Sequence, residues 1–203
     1  MRNEFLRTLT TPSVQSEQVR SYGRSRLAAA NGVTQLLGPE EQAFIAARDS
    51  FYLASVNEDG WPYVQHRGGQ KGFVRVVNGT QIVFGDYTGN RQLTSAGNIM
   101  AKRRVALFLM DYPARERLKI IGHAEVLMPQ EVRELVGSLV VPKGAAIERV
   151  FRIDVVGFDW NCPKYITPRY TMAEIEEATA PLRARITELE SALNAQKQST
   201  TTH

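Results

Sequence analysis

Two short polar segments flanked by glycine carry the side chains best suited to bind a small anion. The first spans residues 65–69 and reads Gln-His-Arg-Gly-Gly. Arg67 offers a fork of N–H donors that matches a phosphate group, and Gly68 lets the backbone approach a ligand closely. A β-bulge with a surface arginine would give the same pattern, so this segment alone leaves both interpretations open.

The second segment spans residues 85–93, where the chain leaves a predicted strand and enters a predicted helix. Backbone N–H groups at the start of a helix point outward and attract anions together with the helix dipole. Asn90, Arg91 and Ser95 would add side-chain donors at this junction. An ordinary loop with a helix cap is the alternative interpretation. If the two segments are neighbours in a barrel, Arg67 and Arg91 can converge on one phosphate.

Other common chemistries lack their signatures in the sequence. It contains no GxGxxG after a strand, no glycine-rich P-loop motif and no GxSxG nucleophile elbow. His66, His123 and His203 do not stand at a metal-ligand spacing, so we predict no metal site. The pattern assigns no catalytic acid, base or nucleophile.

Short strands separated by turn signals are expected to position the two segments. Alternating and β-rich runs predict strands at residues 51–56, 61–67, 73–77, 81–84, 104–110, 118–127 and 147–160. Asp59-Gly60 and Asn78-Gly79 are typical of tight hairpin turns. Helices are predicted near residues 39–49, 90–101 and 129–140. The predicted fold class is mainly β (α+β), an antiparallel barrel over residues 39–170 with peripheral helices and a helical arm over residues 1–38.

Residues 171–198 are predicted to form a C-terminal helix. Thr171 and Glu174 have the spacing of a capping box at its start. Apolar residues recur every seven positions with two more interleaved: Ile175, Leu182, Ile186, Leu189 and Leu193. The pattern leaves open whether this seam packs on its own barrel or on a partner subunit. Pro181 is expected to kink or divide the helix, and residues 199–203 to be disordered.

The composition is that of a globular protein, with 203 residues of which 43% are hydrophobic and 23% charged. A formal net charge of +4 is spread along the chain without a Lys/Arg-rich run, which argues against nucleic-acid binding. No apolar run approaches the roughly 20 residues that cross a bilayer, and the N-terminus does not resemble a signal peptide. Cys162 is the single cysteine. We therefore expect a cytoplasmic protein that binds neither membrane nor nucleic acid.

Several runs, taken in order, resemble the pyridoxamine 5'-phosphate oxidase-like family of FMN-binding split barrels. These runs are residues 51–56, 59–69, 89–92, 104–108, 117–119, 122–125 and 159–163. The resemblance covers roughly residues 40–170 and is greatest to a bacterial subgroup that carries the QHRGG and GNRQ segments. It implies a split β-barrel that forms a homodimer, with FMN held in clefts between the subunits.

The resemblance also implies roles for individual residues. Residues 65–67 would contact the phosphate and ribityl chain of FMN. Asn90 and Arg91 stand where the family has an Arg-Lys phosphate-binding pair, so one basic residue is replaced here. Arg117 occupies a strand position that faces the flavin, and Trp160 with Asn161 would cover it from the partner subunit. The predicted cofactor-binding set is Gln65, His66, Arg67, Gly68, Asn90, Arg91, Ser95, Arg117, Trp160 and Asn161.

The C-terminus departs from the family. The oxidase has a basic C-terminal segment that grips its substrate, whereas this chain has an acidic and apolar helix, so oxidation of vitamin B6 is not implied. We predict an FMN-dependent oxidoreductase of unknown substrate. The alternatives are a flavin-binding carrier or sensor without turnover, and a dimeric barrel that has lost its flavin. His66 is either a donor to reduced FMN or a bonded strand-end histidine, and Cys162 either a redox thiol or an inert buried one.

Overall fold

The computed structural model describes residues 3–25, 35–89, 91–160 and 164–200, with side chains as far as residue 197. The helices are α1 (Glu4–Leu9), α2 (Pro12–Tyr22), α3 (Pro39–Ala46), α4 (Thr94–Lys102), α5 (Arg133–Gly137) and α6 (Met172–Thr200). The strands are β1 (Ser50–Val56), β2 (Pro62–Gly68), β3 (Val74–Val77), β4 (Gln81–Tyr87), β5 (Arg104–Asp111), β6 (Glu116–Leu127) and β7 (Ile147–Trp160).

The seven strands form one antiparallel sheet in the order β2-β1-β5-β6-β7-β4-β3. The two edge strands, β2 and β3, are not paired with each other, so the curled sheet stays open along one seam. The predicted fold class is confirmed: a mainly β (α+β) antiparallel split barrel with peripheral helices and a C-terminal helix. The predicted hairpin turns are confirmed too, with positive φ at Gly60, Asn78 and Gly79.

Alternate residues of the strands fill the main apolar core. Phe84 of β4 stacks on Phe151 of β7 with ring centroids 5.1 Å apart, and Phe51 of β1 meets the edge of Phe84 at the same separation. Side chains with no measurable exposure complete this core: Leu53, Ile82, Leu109, Leu118, Ile120 and Ile153. Because successive strand residues point to opposite faces, the intervening residues of β1, β2, β5 and β6 form an outward face.

Helix α1 docks against β7 through a glycine. A side chain at Gly157 would place its Cβ 2.5 Å from the backbone nitrogen of Phe5, which is closer than real atoms approach. Nearby, the side chain of Asn3 donates to the Asp159 carboxylate at 2.9 Å. The arm predicted for residues 1–38 therefore includes a helix packed on the barrel, while residues 26–34 lie outside the described part.

The extent of two predicted helices differs from the structure. The helix expected at residues 129–140 is wrong in length, because only α5 is helical. Val132, just before it, has φ −133° and ψ 44°, outside the helical region, and residues 128–132 form turns instead. The helix expected at residues 90–101 begins later, at Thr94.

Helix α6 begins with the predicted capping box. The backbone N–H of Thr171 donates to the Glu174 carboxylate at 2.7 Å, and the N–H of Glu174 donates to the Thr171 hydroxyl at 3.3 Å. Pro181 does not divide the helix, because it removes only one N–H from the backbone hydrogen-bond ladder. The helix continues to Thr200, two residues beyond the predicted end, and residues 201–203 lie outside the described part. Within that part, none of the helices combines the length and apolar character needed to cross a membrane.

Candidate functional site

The two polar segments singled out in the sequence meet in one cavity of about 190 Å³. β2 supplies the first segment, while the end of β4 and the first turn of α4 supply the second. The side chains and backbone that line the cavity include Gln65, His66, Arg67, Gly68, Phe73, Gly85, Asp86, Tyr87, Thr88, Gly89, Leu93, Ser95 and Ala96. Segments 16 or more residues apart in sequence are therefore adjacent in space, at the open seam of the barrel.

Alternation along β2 separates the side chains of the first segment. Gln65 and Arg67 lie on the inward side, where Gln65 accepts a hydrogen bond from Ser95 of α4 at 2.7 Å. The intervening His66 also borders the cavity, but its ring packs edge-on against Tyr52 at 5.7 Å, on the exposed face of the sheet. Only two of the three side chains implied to hold the phosphate and ribityl chain therefore share one face within a protomer.

Arg67 is a mostly buried arginine with a carboxylate partner. Its guanidinium forms an ion pair with Asp86 of β4, and the two side chains are only 13% and 14% exposed. The guanidinium also lies over the ring of Phe151, 4.9 Å from its centroid. Its Nε is buried and has no hydrogen-bond partner among the described residues. One donor of the fork is thus available to a further acceptor.

Asp86 binds a second arginine from the neighbouring strand. Arg149 of β7 stands opposite Asp86 in the sheet, and its guanidinium lies 3.1 Å from the second carboxylate oxygen. Arg149 also contacts the more exposed carboxylate of Glu148 at 3.1 Å. The two arginines are therefore balanced by two carboxylates. An anion here would be held chiefly by directed hydrogen bonds rather than by a large excess of positive charge.

The start of α4 borders the same cavity. Leu93 precedes the helix with φ 55°, in the left-handed region, and provides no side-chain cap. Ser95, which is 1% exposed, and Ala96 line the cavity from the first turn. The amide of Asn98 donates to the hydroxyl of Ser55 at 3.0 Å, which fixes α4 against β1. The helix thus presents its positive end to the cavity on a rigid support.

Tyr87 adds a neutral hydroxyl at the edge of the cavity. Burial raises its pKa, so the hydroxyl stays protonated, and it donates to the backbone carbonyl of Val140 at 3.0 Å. Sequence reasoning gave no role to Tyr87, Asp86 or Arg149. The first two lie within the quoted polar segment, but the pairing of Asp86 with Arg149 depends on strands more than 60 residues apart.

Of the other predicted residues, those that the structure describes do not line this cavity. Arg91 is exposed and forms no ion pair with the described residues. Arg117 does not line the cavity; it stands on the outward face of β6, with its guanidinium 5.8 Å from the ring centroid of Phe108 and its Nε buried. Asn90, Asn161 and Cys162 lie outside the described residues, so their predicted roles stay predictions.

Trp160 packs within its own protomer. Its indole N–H donates to Glu41 of α3 at 2.8 Å, and Phe44 meets its ring edge-on at 4.8 Å. These contacts tie the end of β7 to α3. If Trp160 covers a partner's flavin as predicted, it would do so with the part of its ring that these contacts leave exposed.

The outward face of the sheet carries a second, apolar concavity of about 480 Å³. Small and apolar residues from β1, β2, β5 and β6 line it, including Ala54, Val56, Pro62, Ala106 and Ile121. Val64 on the same side of β2 is 61% exposed. Such a continuous apolar surface is typical of a protein–protein contact.

The chain was compared with known proteins by sequence and by structure. No curated protein matches the sequence. HupZ of Group A Streptococcus is 15% identical, with a TM-score of 0.47 over 66% of this chain and 100% of its own. A putative pyridoxamine 5'-phosphate oxidase from Lactobacillus delbrueckii is 21% identical, with a TM-score of 0.46 over 61% and 93%. HutZ of Vibrio cholerae, described as a heme storage protein, is 17% identical, with a TM-score of 0.40 over 62% and 94%.

The family comparison covers most of the barrel. The model of the pyridoxamine 5'-phosphate oxidase family matches residues 37–157, which is more than half of the chain. The match includes β1 to β6 and all of β7 except its last three residues. The match contains both polar segments and the strand that carries Arg117. Helices α1, α2 and α6 lie outside it. The chain belongs to the pyridoxamine 5'-phosphate oxidase family.

Proposed function

We propose that the protein binds FMN at the cavity between β2, β4 and α4 and acts as an FMN-dependent oxidoreductase. The observation that carries this proposal is the meeting of the two polar segments in one cavity. Membership of the family supports flavin as the ligand. When bound, FMN supplies the redox chemistry, and the protein supplies the anchoring and orientation.

The donors in the cavity suit the phosphate end of FMN. The buried Nε of Arg67 lacks a partner among the described residues, and the first turn of α4 has no side-chain cap from Leu93. These groups are the kind that hold phosphate at a helix start. Asp86 keeps the guanidinium of Arg67 in place over Phe151 and also lowers the net positive charge, so we expect binding that depends strongly on Arg91 as the second cation.

We further propose a homodimer with the flavin between subunits. A cavity of about 190 Å³ is smaller than the ~300–1,000 Å³ of ordinary cofactor pockets, so one protomer would enclose only part of FMN. The apolar outward face offers a contact surface for a second subunit. Arg117 and His66 stand on that side of the sheet, where a partner's flavin would reach them. This arrangement would account for the predicted role of Arg117, which does not line the inward cavity, and would give His66, which borders that cavity, a contact on the outward side.

The first experiment is a binding measurement with FMN and riboflavin on the purified chain. Protein carrying flavin is expected to be yellow, with an absorbance band near ~450 nm. Arg91→Ala should weaken FMN by about tenfold or more through loss of a charge-assisted bond, and should leave riboflavin nearly unchanged. Arg75→Ala removes an exposed arginine of β3 and serves as the matched control. Equal loss of both ligands would place the phosphate elsewhere.

A dimeric barrel without flavin is the competing function. The ion pair of Arg67 with Asp86 favours it, because the arginine already has an anionic partner without any ligand. Colourless protein that fails to bind added FMN would support this alternative. If FMN binds, reduction by NADH or NADPH followed by reoxidation would distinguish an enzyme from a carrier or sensor.

A further inference from the structure

The apolar stripe of α6 is left uncovered. From Pro181 to Lys197 every side chain is exposed. The apolar residues of the stripe are between 41% and 65% exposed: Ile175, Leu182, Ile186, Leu189 and Leu193. In the described part of the chain, the barrel therefore does not cover this side of the helix. A stripe of this kind requires a partner to be stable in water.

The stripe has the spacing of a coiled-coil seam. In a heptad labelled a to g, the a positions are Met172, Thr179, Ile186 and Leu193, and the d positions are Ile175, Leu182, Leu189 and Gln196. The central residues from 182 to 193 are apolar at both positions. Pro181 falls at a c position, away from the seam, where its missing N–H does not affect the contact.

Charges beside the seam favour a second copy of α6 as the partner, in the antiparallel direction. The e positions alternate in sign: Glu176, Arg183, Glu190 and Lys197. The g positions Ala178 and Ala192 are small and neutral, and Arg185 at the remaining g position contacts Glu188 of its own helix at 2.9 Å. In antiparallel pairs, e positions face e positions. Because the second helix runs in the reverse direction, these four alternating charges each meet a charge of opposite sign on the second copy.

One antiparallel register satisfies the apolar and charged positions together. It places Leu182 opposite Leu193 of a second copy and Ile186 opposite Leu189 of that copy, so four apolar layers are continuous. The same register sets Glu176 beside Lys197 and Arg183 beside Glu190 of the second copy, and symmetry doubles each pair. A shift by one heptad would place Arg183 beside the same residue of the second copy and Glu176 beside Glu190, which repel.

A parallel pair would use these charges less well. In that arrangement g positions face e positions, and only Arg185 with Glu190 of the second copy would be complementary. Apart from Glu190, the alternating e series would have no opposite charges to meet. The sequence therefore favours the antiparallel pair over the parallel one and over antiparallel pairs shifted by one heptad.

We propose that α6 is an oligomerisation helix that pairs antiparallel with α6 of a second copy of this chain. The proposal does not depend on flavin binding, because no residue of the seam lines the cavity at Arg67. A seam of about four heptads is weak between free helices. It gains strength when the barrels already hold two chains at a high effective concentration.

Cysteine cross-linking of the full chain tests both pairing and direction. With Cys162→Ser as background, L182C/L193C is expected to form an intermolecular disulfide, because those positions face each other across the antiparallel pair. L182C alone is expected not to cross-link, because its two copies would be about 16 Å apart, beyond the roughly 7 Å between Cα atoms that a disulfide spans. Cross-linking of L182C alone would show a parallel pair and overturn the proposal. Absence of cross-linking in every variant would overturn it as well.

Charge reversal provides the matched test. In the L182C/L193C background, E176K/E190K makes the four e positions basic, and R183E/K197E makes them acidic. Each should reduce cross-linked product by about tenfold, and mixing the two should restore it as a mixed pair. E177K/E188K makes the same change of charge at positions f and c, on the side of the helix away from the seam, and should leave the yield unchanged. Equal loss in this control, or no recovery on mixing, would contradict the proposal.

Discussion

The barrel and the C-terminal helix contain the same kinds of contact, which are buried in the barrel and exposed to water in the helix. In the barrel, Arg67 and Asp86 form an ion pair whose side chains are 13% and 14% exposed. In α6, Arg185 and Glu188 form an ion pair whose side chains are both 66% exposed. Leu118 of β6 has no exposed surface, whereas Leu189 of α6 is 53% exposed. Contact type alone therefore does not indicate what a residue contributes to stability. The water that each contact excludes decides its contribution.

The largest expected difference concerns the two leucines. Leu118→Ala should lower the free energy of unfolding by about 2–5 kcal/mol, because it opens a cavity among packed strands. Leu189→Ala should change it by less than about 0.5 kcal/mol in a protomer whose helix is unpaired. Urea unfolding at low protein concentration measures both. A large loss for Leu189→Ala under those conditions would mean that α6 is packed on its own barrel.

The two ion pairs give the next largest difference. Asp86→Ala should destabilise the protein by about 3 kcal/mol, because Arg67 and Arg149 would keep buried charge without their shared carboxylate. Glu188→Ala, the matched control on α6, should cost less than about 0.5 kcal/mol because water solvates Arg185. Urea unfolding compares the two variants. A similarly small loss of unfolding free energy in both variants would show that Asp86 does not stabilise the barrel at its open edge.

The smallest expected effect is the titration of the cap of α6. The backbone N–H and the hydroxyl of Thr171 hold the pKa of the Glu174 carboxyl below its usual range. A lowered pKa in the folded chain means that the cap stabilises α6 above the ordinary Glu pKa. This stabilisation is lost as the pH falls through the lowered value. Thr171→Ala removes the hydroxyl and keeps the backbone N–H, so it should move the Glu174 pKa only part of the way back towards normal in an NMR titration. An unchanged Glu174 pKa would rule out the Thr171 hydroxyl as a contributor.

Local patterns predicted the strands and their turns well. Asn78-Gly79 required positive φ, and the structure has it; Thr171 and Glu174 predicted the start of α6 to the residue. The period of two along β2 also implies that His66 faces away from Arg67. These features depend on neighbours in sequence, which a linear pattern records directly.

Long-range pairings could not be read in the same way. The pattern of β2 does not reveal that Arg67 meets Asp86 across the open seam, because this depends on how the sheet curls. The length of α5 was overestimated because the turns at residues 128–132 compete with a weak helical pattern. Family resemblance added the ligand and the dimer, which remain proposals. The place of Trp160 against α3 follows from a contact between residues more than 100 positions apart.

The close approach of α1 to Gly157 makes the seat of this helix depend on one residue of β7. Because the backbone of Phe5 occupies the space that any side chain at position 157 would need, a larger residue there would require α1 to shift away from the barrel. A glycine at the equivalent point of β7 should therefore mark those relatives in which an N-terminal helix covers the barrel, and a larger residue should mark those in which it does not.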